Sequence, residues 1–597
     1  MTEEIIKWDL SDFYKSVTDS NIEKDIQSVL KTAEEFNQKV KGKVNVPTLT
    51  PEQLLGWLQE YENISEESAY LHFYAMLSYS TNTLNNEVKT FKSKIEEITV
   101  KIQDSILFFP LESNLISDDK YNEIISSPLL EKYCHVLEVN RKEKPHQLSE
   151  KEEQIILMKN LTGINAFIKL YSELKSSFIY DFEVDGEHKK LTEAELFANM
   201  YHPDKNLRHR ALKTIVNKYK ENELVFTHIF NNIIKDWDLG SKKKNYRKPI
   251  SRRNLSNELS DEAVEVLGKV STNNYQIVEN YYNLKKKILG LTNLHISDIY
   301  APVGEITKKY SYPEAIELIK TVNEKFHPEF RNIVERMFQL EHIDVTPRKG
   351  KNRGAFCEFG KLKQYPFVLV NFTGDIDSVL TLSHELGHAI QLFYIQRDQN
   401  FLNNGISLAV AEIASNFNEM LTLDYLMNTD LTKEEKIALL CIFIENNIAT
   451  SFRQNAFYNF EVKIHNMIEM KLPTTNEIKQ KFVEEMKALF GNSISNLEED
   501  YAEYCFVIPH FLNAPFYVYA YNMSNLLVIA LYKLYLEQKE EFVPKFIKLL
   551  SLGTSLSPEE MLSTLDINLN DSSFWQKGID FLASKVEELS TLVKNQD

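Results

Sequence analysis

The chain has 597 residues, enough for several domains or one large helical enzyme, and its 43% hydrophobic and 26% charged content is that of an ordinary soluble globular protein. With 68 basic against 86 acidic side chains the net charge is −18, which disfavours nucleic acid and anionic membranes as partners. Four scattered cysteines (Cys134, Cys357, Cys441, Cys505) form no Cys-x-x-Cys pair or disulfide framework, and the N-terminus shows no signal peptide, so a cytoplasmic location is expected.

Helical spacing dominates, and glycine and proline are scarce at 17 each. Amphipathic helices are predicted near 14–40, 65–108, 115–142, 150–180 and 191–236, with 66–109 long enough for an antiparallel hairpin turning near 81–86. The polar stretch 185–191, followed by Thr192 as an N-cap, reads as a boundary: a helical N-terminal lobe over 1–185, then a catalytic body over 186–597. Lysines 242–244, Arg247, Lys248, Arg252 and Arg253 make a basic cluster that reads as a solvated loop, with phosphate binding or capture of a peptide carboxylate as alternatives. A small sheet is expected around 340–371 within a mainly α frame. The apolar run 526–532 ends at Lys533 and is too short to span a bilayer.

The run 381–388 contains His384-Glu385-x-x-His388. Two histidines four apart on a helix differ by about 40° around the axis, so both imidazoles reach one zinc ion. Asp375 and Asp377 offer N-caps, and Val379, Leu380, Leu382, Leu386, Ala389, Ile390 and Phe393 give the helix a broad apolar face, so its polar residues need partners. Glu385 is placed to take a proton from a water at the metal, which implies metal-assisted amide hydrolysis. No third histidine follows at the metzincin spacing. A second helix is predicted over 407–427, and Asn403, Asn404 and Gly405 permit an antiparallel return to it. Glu412 on that helix is the expected third ligand, and Glu419, two turns on, the acceptor that orients a ligand. His202, His209, His228, His295, His327 and His342 show no ligand pairing, no G-x-S-x-G is present, and nothing marks Cys357 as an activated thiol.

His384 to His388 followed by the Glu412–Glu419 run resembles the thimet-oligopeptidase superfamily, in its bacterial oligoendopeptidase F branch. The 350–357 run with Gly354-Ala355-Phe356, the 365–374 strand before the helix, the 508–521 run with His510, and the opening Trp8-Asp9-Leu10-Ser11-Asp12 resemble the same family. The resemblance is dense over about 347–427 and 502–531. It implies two helical lobes around a deep channel, one zinc ion, and short unstructured peptides as substrates. It also implies that the 508–521 run supplies transition-state groups. On a helix opened by Asn513 and Pro515, Tyr517 and Tyr521 share a face and Tyr519 points away, so His510, Tyr517 and Tyr521 are the expected donors to the developing oxyanion. The superfamily's better-known members space these tyrosines seven apart, and here the pair is four apart.

The strand 354–359, with Gly354, Ala355 and Phe356, is expected to bind substrate backbone at a sheet edge, and its glycine and alanine leave room for an extended peptide to approach closely. The expected activity is endopeptidase cleavage of oligopeptides. Alternatives are a thermolysin-type or aminopeptidase-type zinc peptidase, although the Gly-x-Met-Glu-Asn segment of the latter is absent, and a non-catalytic peptide-binding scaffold. Three protein ligands beside a glutamate favour an open, catalytic site over a closed, structural one.

Overall fold

A computed structural model describes residues 5–184 and 186–594. The chain is mainly α, with two small sheets among the described residues. It divides into two compact units, each assembled from three stretches: Met1–Lys144, Thr307–Thr429 and Leu534–Ile567 in the first, Pro145–Ile306, Asp430–Lys533 and Asn568–Asp597 in the second. The expected division at 185 does not coincide with these boundaries. Residue 185 itself lies outside the described residues, and the strands on either side of it pair with each other.

In the first unit the predicted hairpin is present and longer than expected. Thr50 and Gln53 form a capping box that starts the helix Pro51–Thr81, fifteen residues before position 66. Asn85 accepts the amides of Glu87 and Val88 and starts the returning helix Asn86–Ile106. The helix Ser20–Val40 packs on both, burying Val29, Phe36, Leu54, Leu58 and Ile102 in one cluster. A second cluster joins Trp8, Phe13, Leu71 and Tyr74 to Phe367 and Leu369 of a three-stranded sheet. In that sheet Phe367–Leu369 is central and fully buried, Ile343–Asp344 pairs with it in parallel, and Phe356–Glu358 pairs antiparallel at the edge. The expected helix over 115–142 is instead two short ones, Asp118–Ile125 and Cys134–Glu143, joined through a tighter 3₁₀ segment, Pro128–Tyr133, because Ser117 and Pro128 interrupt the run.

In the second unit the stretch 186–191 belongs to a β-hairpin, Tyr180–Val184 against Glu187–Leu191, with Gly186 at φ +80°. The outer strand is charged and almost wholly exposed, so no alternating pattern betrayed it. Thr192 does cap the next helix, in a capping box with Glu195. The region predicted as helix over 191–236 contains Glu193–Ala198, Lys205–Glu221 and Glu223–Lys243. A long helix, Arg453–Met470, packs against Thr475–Phe490 and forms a wall beneath the 509–521 segment. Among the described residues no helix is long and apolar enough to cross a membrane.

Candidate active site

The motif lies on the helix Ile376–Asp398, started by the Asp375 carboxylate, which accepts the Ser378 amide. The predicted apolar face is buried, with Phe393 half-buried. Its partner is the helix Ile413–Met427. The two backbones come so close at Gly387 that a Cβ there would stand 2.5 Å from the Ala414 carbonyl oxygen. The Asn418 side-chain amide donates to the Ser383 carbonyl oxygen at 2.6 Å, and the Ser383 and Thr422 hydroxyls bond at 2.7 Å. The partner helix begins at Ile413, six residues later than expected. Glu412 is therefore its N-cap, at φ −94° and ψ 8°, and not a residue within it. The Ser415 hydroxyl donates to one of its carboxylate oxygens at 2.7 Å.

That same oxygen of Glu412 lies 3.3 Å from His384 Nε2 and 3.4 Å from His388 Nε2, and the two imidazole rings stand at 84° with centroids 5.0 Å apart. The other ring nitrogen of His384, Nδ1, lies 3.3 Å from Glu419. Three donor atoms thus converge from two directions, with a carboxylate behind one of them. Burial alone would push the His384 imidazole down, but the hydrogen-bonded carboxylates of Glu412 and Glu419 overcome it and hold the ring protonated up to about 10. Burial would raise the Glu412 carboxyl, yet the two histidines hold it well below the usual carboxylate range. The arrangement strongly favours a positive charge at its centre. The side chains of His384, His388 and Glu412 remain 24%, 20% and 41% exposed, so the group is reachable from outside. Donor types, convergence and access fit a zinc ion with an open coordination position.

Glu385 is 6% exposed, and its Oε2 has no hydrogen-bonding partner among the described residues. Burial pushes its carboxyl upward, with the two histidines opposing. A buried carboxylate with an unused oxygen beside a metal-binding group is suited to holding and passing a proton. Glu385, His384, His388 and Glu412 line one cavity of about 610 Å³, which also takes in Phe73 and Phe401. One wall is the edge strand, from Ala355 to Phe359, shorter in regular pairing than the expected 354–359. Its free edge carries no strand among the described residues. Gly354 is exposed, lies outside the cavity lining and accepts the Asn371 side-chain amide. Phe356 lines the cavity as well, and its ring packs edge-on against Trp8 at 6.1 Å. Glu358 also lines the cavity, with burial pushing its carboxyl up to about 7; the sequence reading missed it because a lone glutamate on a short strand carries no signal. Burial holds the Cys357 thiol well above its ordinary range, so it stays protonated and un-nucleophilic.

The second unit brings His510, Tyr517 and Tyr521 together. His510 Nε2 lies 3.2 Å from the Tyr521 hydroxyl, the His510 and Tyr517 rings lie parallel within 12° at 5.9 Å, and the two tyrosine rings meet edge-on at 5.3 Å. Tyr519 points away as expected and accepts the Asn257 side-chain amide at 2.8 Å in the core. The local backbone differs from the expectation. Asn513 ends a short turn of helix, His510–Asn513, and the next helix begins only at Tyr519, because Phe516 adopts φ +58°. Tyr517 therefore precedes the helix that carries Tyr521. Burial pushes the His510 imidazole below its ordinary value, so it is neutral near neutral pH.

The basic cluster is absorbed by local acids and rings: Lys242 pairs with Asp238 and Lys244 with Glu153, while Arg252 lies over the Trp237 ring. His209 and His295, expected to lack metal-type partners, do form a group with Asp500. His295 Nδ1 already accepts the Ser297 amide at 3.1 Å, and its Nε2 meets Asp500 at 3.0 Å, so its hydrogen bonding is complete without a cation.

Residues 198–581 match peptidase family M3, and 112–179 match the family described as oligopeptidase F. An oligoendopeptidase F homolog of Borreliella burgdorferi is 27% identical over 98% of both chains, and oligopeptidase PepF of Bacillus subtilis is 24% identical over 98% of this chain and 87% of its own. The fold is that of a Chlamydophila abortus protein (TM-score 0.89, 24% identity, 98% of each chain) and of oligoendopeptidase-F from Enterococcus faecium (TM-score 0.71, 20% identity, 96% of this chain and 98% of that one). With the M3 match spanning well over half its length and the histidine–glutamate group inside that span, the chain belongs to peptidase family M3 and is a metallo-oligopeptidase.

Proposed function

We propose that this protein is a zinc-dependent endopeptidase that cuts internal bonds of short, unstructured peptides. The observation that carries the reading is the convergence of His384, His388 and Glu412 beside the buried, unpartnered oxygen of Glu385 in one accessible cavity. His384, His388 and Glu412 would hold one zinc ion per chain, and Glu419 would fix the His384 ring through Nδ1. A zinc ion bound there acidifies water and polarises a peptide carbonyl. Glu385 takes the proton from the attacking water at its free Oε2 and delivers it to the departing amine. His510, Tyr517 and Tyr521 supply donors for the charge that grows on the carbonyl oxygen. A neutral His510 suits that role, because it can share a hydrogen bond with Tyr521 without carrying a charge of its own.

Ala355 and Phe356 would receive an extended substrate along the free edge of their strand through main-chain hydrogen bonds. Such contacts ignore side-chain identity, so sequence preference is broad. Membership of family M3 supports this reading over the thermolysin-type, aminopeptidase-type and scaffold alternatives. The relatives carry the names oligoendopeptidase and oligopeptidase, which supports short peptides as substrates. The test is digestion of a ladder of peptides from roughly 6 to 20 residues beside a folded protein, read by mass spectrometry. Internal cuts in the peptides with the folded protein intact are expected. Efficient cutting of the folded protein, or release of single terminal residues alone, would contradict the reading.

A further inference from the structure

Phe516 lies in the second unit and is buried at 1% exposure, yet it holds φ +58°, a backbone region that a bulky aromatic residue adopts only under constraint. The hydrogen bonds around it show where the constraint comes from. The Ala514 amide goes to the His510 carbonyl, the Tyr517 amide to Ala514, and the Ala520 amide to Tyr517. The Phe516 amide has no backbone acceptor among the described residues. It donates to Glu461 Oε1 at 2.8 Å, from the helix Arg453–Met470. One turn along that helix the His465 ring packs on the Phe516 ring at 4.3 Å, and Arg253 Nε donates to the Pro515 carbonyl at 3.2 Å. Glu461 is itself 2% exposed, and its second oxygen has no hydrogen-bonding partner among the described residues. Nothing in the reaction as described uses this buried acid.

The strained residue sits between His510 on one side and Tyr517 and Tyr521 on the other. Its φ sets the direction in which the chain leaves Pro515, and so decides whether the Tyr517 ring lies along His510. We propose that Glu461 is a positioning residue: by accepting the Phe516 amide it holds the left-handed turn that brings Tyr517 against His510 and Tyr521. The role rests on the reading that His510, Tyr517 and Tyr521 serve the reaction. Burial pushes the Glu461 carboxyl up to about 8, with the Phe516 amide and Arg253 opposing, so at neutral pH it is largely an uncharged acceptor. A glutamine side chain offers the same carbonyl oxygen at the same reach.

The experiment compares Glu461→Gln, Glu461→Leu and Tyr521→Phe in the zinc-loaded full chain on one quenched peptide. Glu461→Gln should keep kcat within about threefold, and Glu461→Leu should lower it by about 10–100-fold with KM and zinc content nearly unchanged, the size expected when catalytic groups are misplaced by about an ångström. Amide exchange over 512–518, read by mass spectrometry, should be slow in the wild type and Glu461→Gln and fast in Glu461→Leu. Full kcat in Glu461→Leu while Tyr521→Phe is impaired would overturn the proposal. Full kcat in Tyr521→Phe would instead strike at the assigned role of that tyrosine, and the exchange comparison would still decide whether Glu461 holds the turn. Should Glu461→Leu fail to fold, rapid exchange of the Phe516 amide in the wild type would refute the anchor, and slow exchange retained in Glu461→Gln would support it.

Discussion

Gly387→Ala is a single methyl group placed where the motif helix meets its partner. The added Cβ would stand 2.5 Å from the Ala414 oxygen and 2.6 Å from Ser415 Cα, whereas ordinary contacts begin at 3.4 Å. Both obstacles are backbone, so no side chain can swing away. The partner helix must retreat by about 0.9 Å, and Glu412, its N-cap two residues before Ala414, retreats with it. Metal–carboxylate bonds of about 2.0–2.2 Å tolerate about ±0.2 Å. For the fold, overpacking costs about 1–3 kcal/mol and the better helix propensity of alanine offsets about 1 kcal/mol, so the protein stays folded with a slightly lower Tm. The metal group has no such offset. Zinc affinity should fall at least about tenfold, equivalent to about 1.4 kcal/mol, measured by competition with a chromophoric chelator beside calorimetric Tm. Gly56→Ala is the control, since its Cβ meets nothing within 4 Å in the helix Pro51–Thr81 and zinc affinity should not change. Wild-type zinc affinity in Gly387→Ala would show that the close approach does not set the position of Glu412.

Glu385→Gln should keep zinc and fold but lose at least about a thousandfold in kcat, and retention of about a tenth of wild-type activity would remove Glu385 from proton transfer. Glu419→Ala should weaken zinc binding or turnover by about 10–100-fold through the loosened His384 ring, and an unchanged enzyme would make Glu419 an ordinary surface acid. His465 is buried with both ring nitrogens unpartnered among the described residues, and burial pushes its imidazole down from 6.5 to about 3. Between those values the unfolded chain binds a proton that the folded chain does not, so this group's contribution is present above pH 6.5 and is lost as pH falls, at up to about 1.4 kcal/mol per pH unit. His465→Phe should therefore lose less stability between pH 7 and pH 5 than the wild type in urea unfolding, and parallel losses would mean that His465 is protonated in the fold.

The motif helix was legible because its apolar face and its two histidines share the 3.6-residue period, and Asp375 marks its start. Glu412 was legible from its seven-residue spacing to Glu419, and both do face His384. Its place at a helix cap was not, since the run 407–412 has helical spacing but folds as turns. The need for glycine at 387 depends on a backbone 27 positions along the chain, which no local pattern shows. Phe516 is the sharpest case. Aromatic residues avoid positive φ, so local propensity predicted a helix from Pro515 and tertiary contacts from Glu461 and His465 overrode it. Tyr517 and Tyr521 do meet while Tyr519 turns into the core, but not as partners on one helix face: Tyr519 and Tyr521 share the helix, and Tyr517 meets Tyr521 from before its start. The interleaved units were also invisible, since each is completed by stretches hundreds of residues apart.

The claim that His384, His388 and Glu412 hold the ion on which hydrolysis depends is tested most directly by titrating zinc back into chelator-stripped protein. Metal content and cleavage of an internally quenched peptide are followed together, in the wild type and in Glu412→Ala. The wild type should lose activity on stripping and regain it linearly up to one zinc per chain, while Glu412→Ala should bind zinc markedly more weakly and recover little. Full activity in metal-free protein, or tight stoichiometric zinc in Glu412→Ala, would contradict the account.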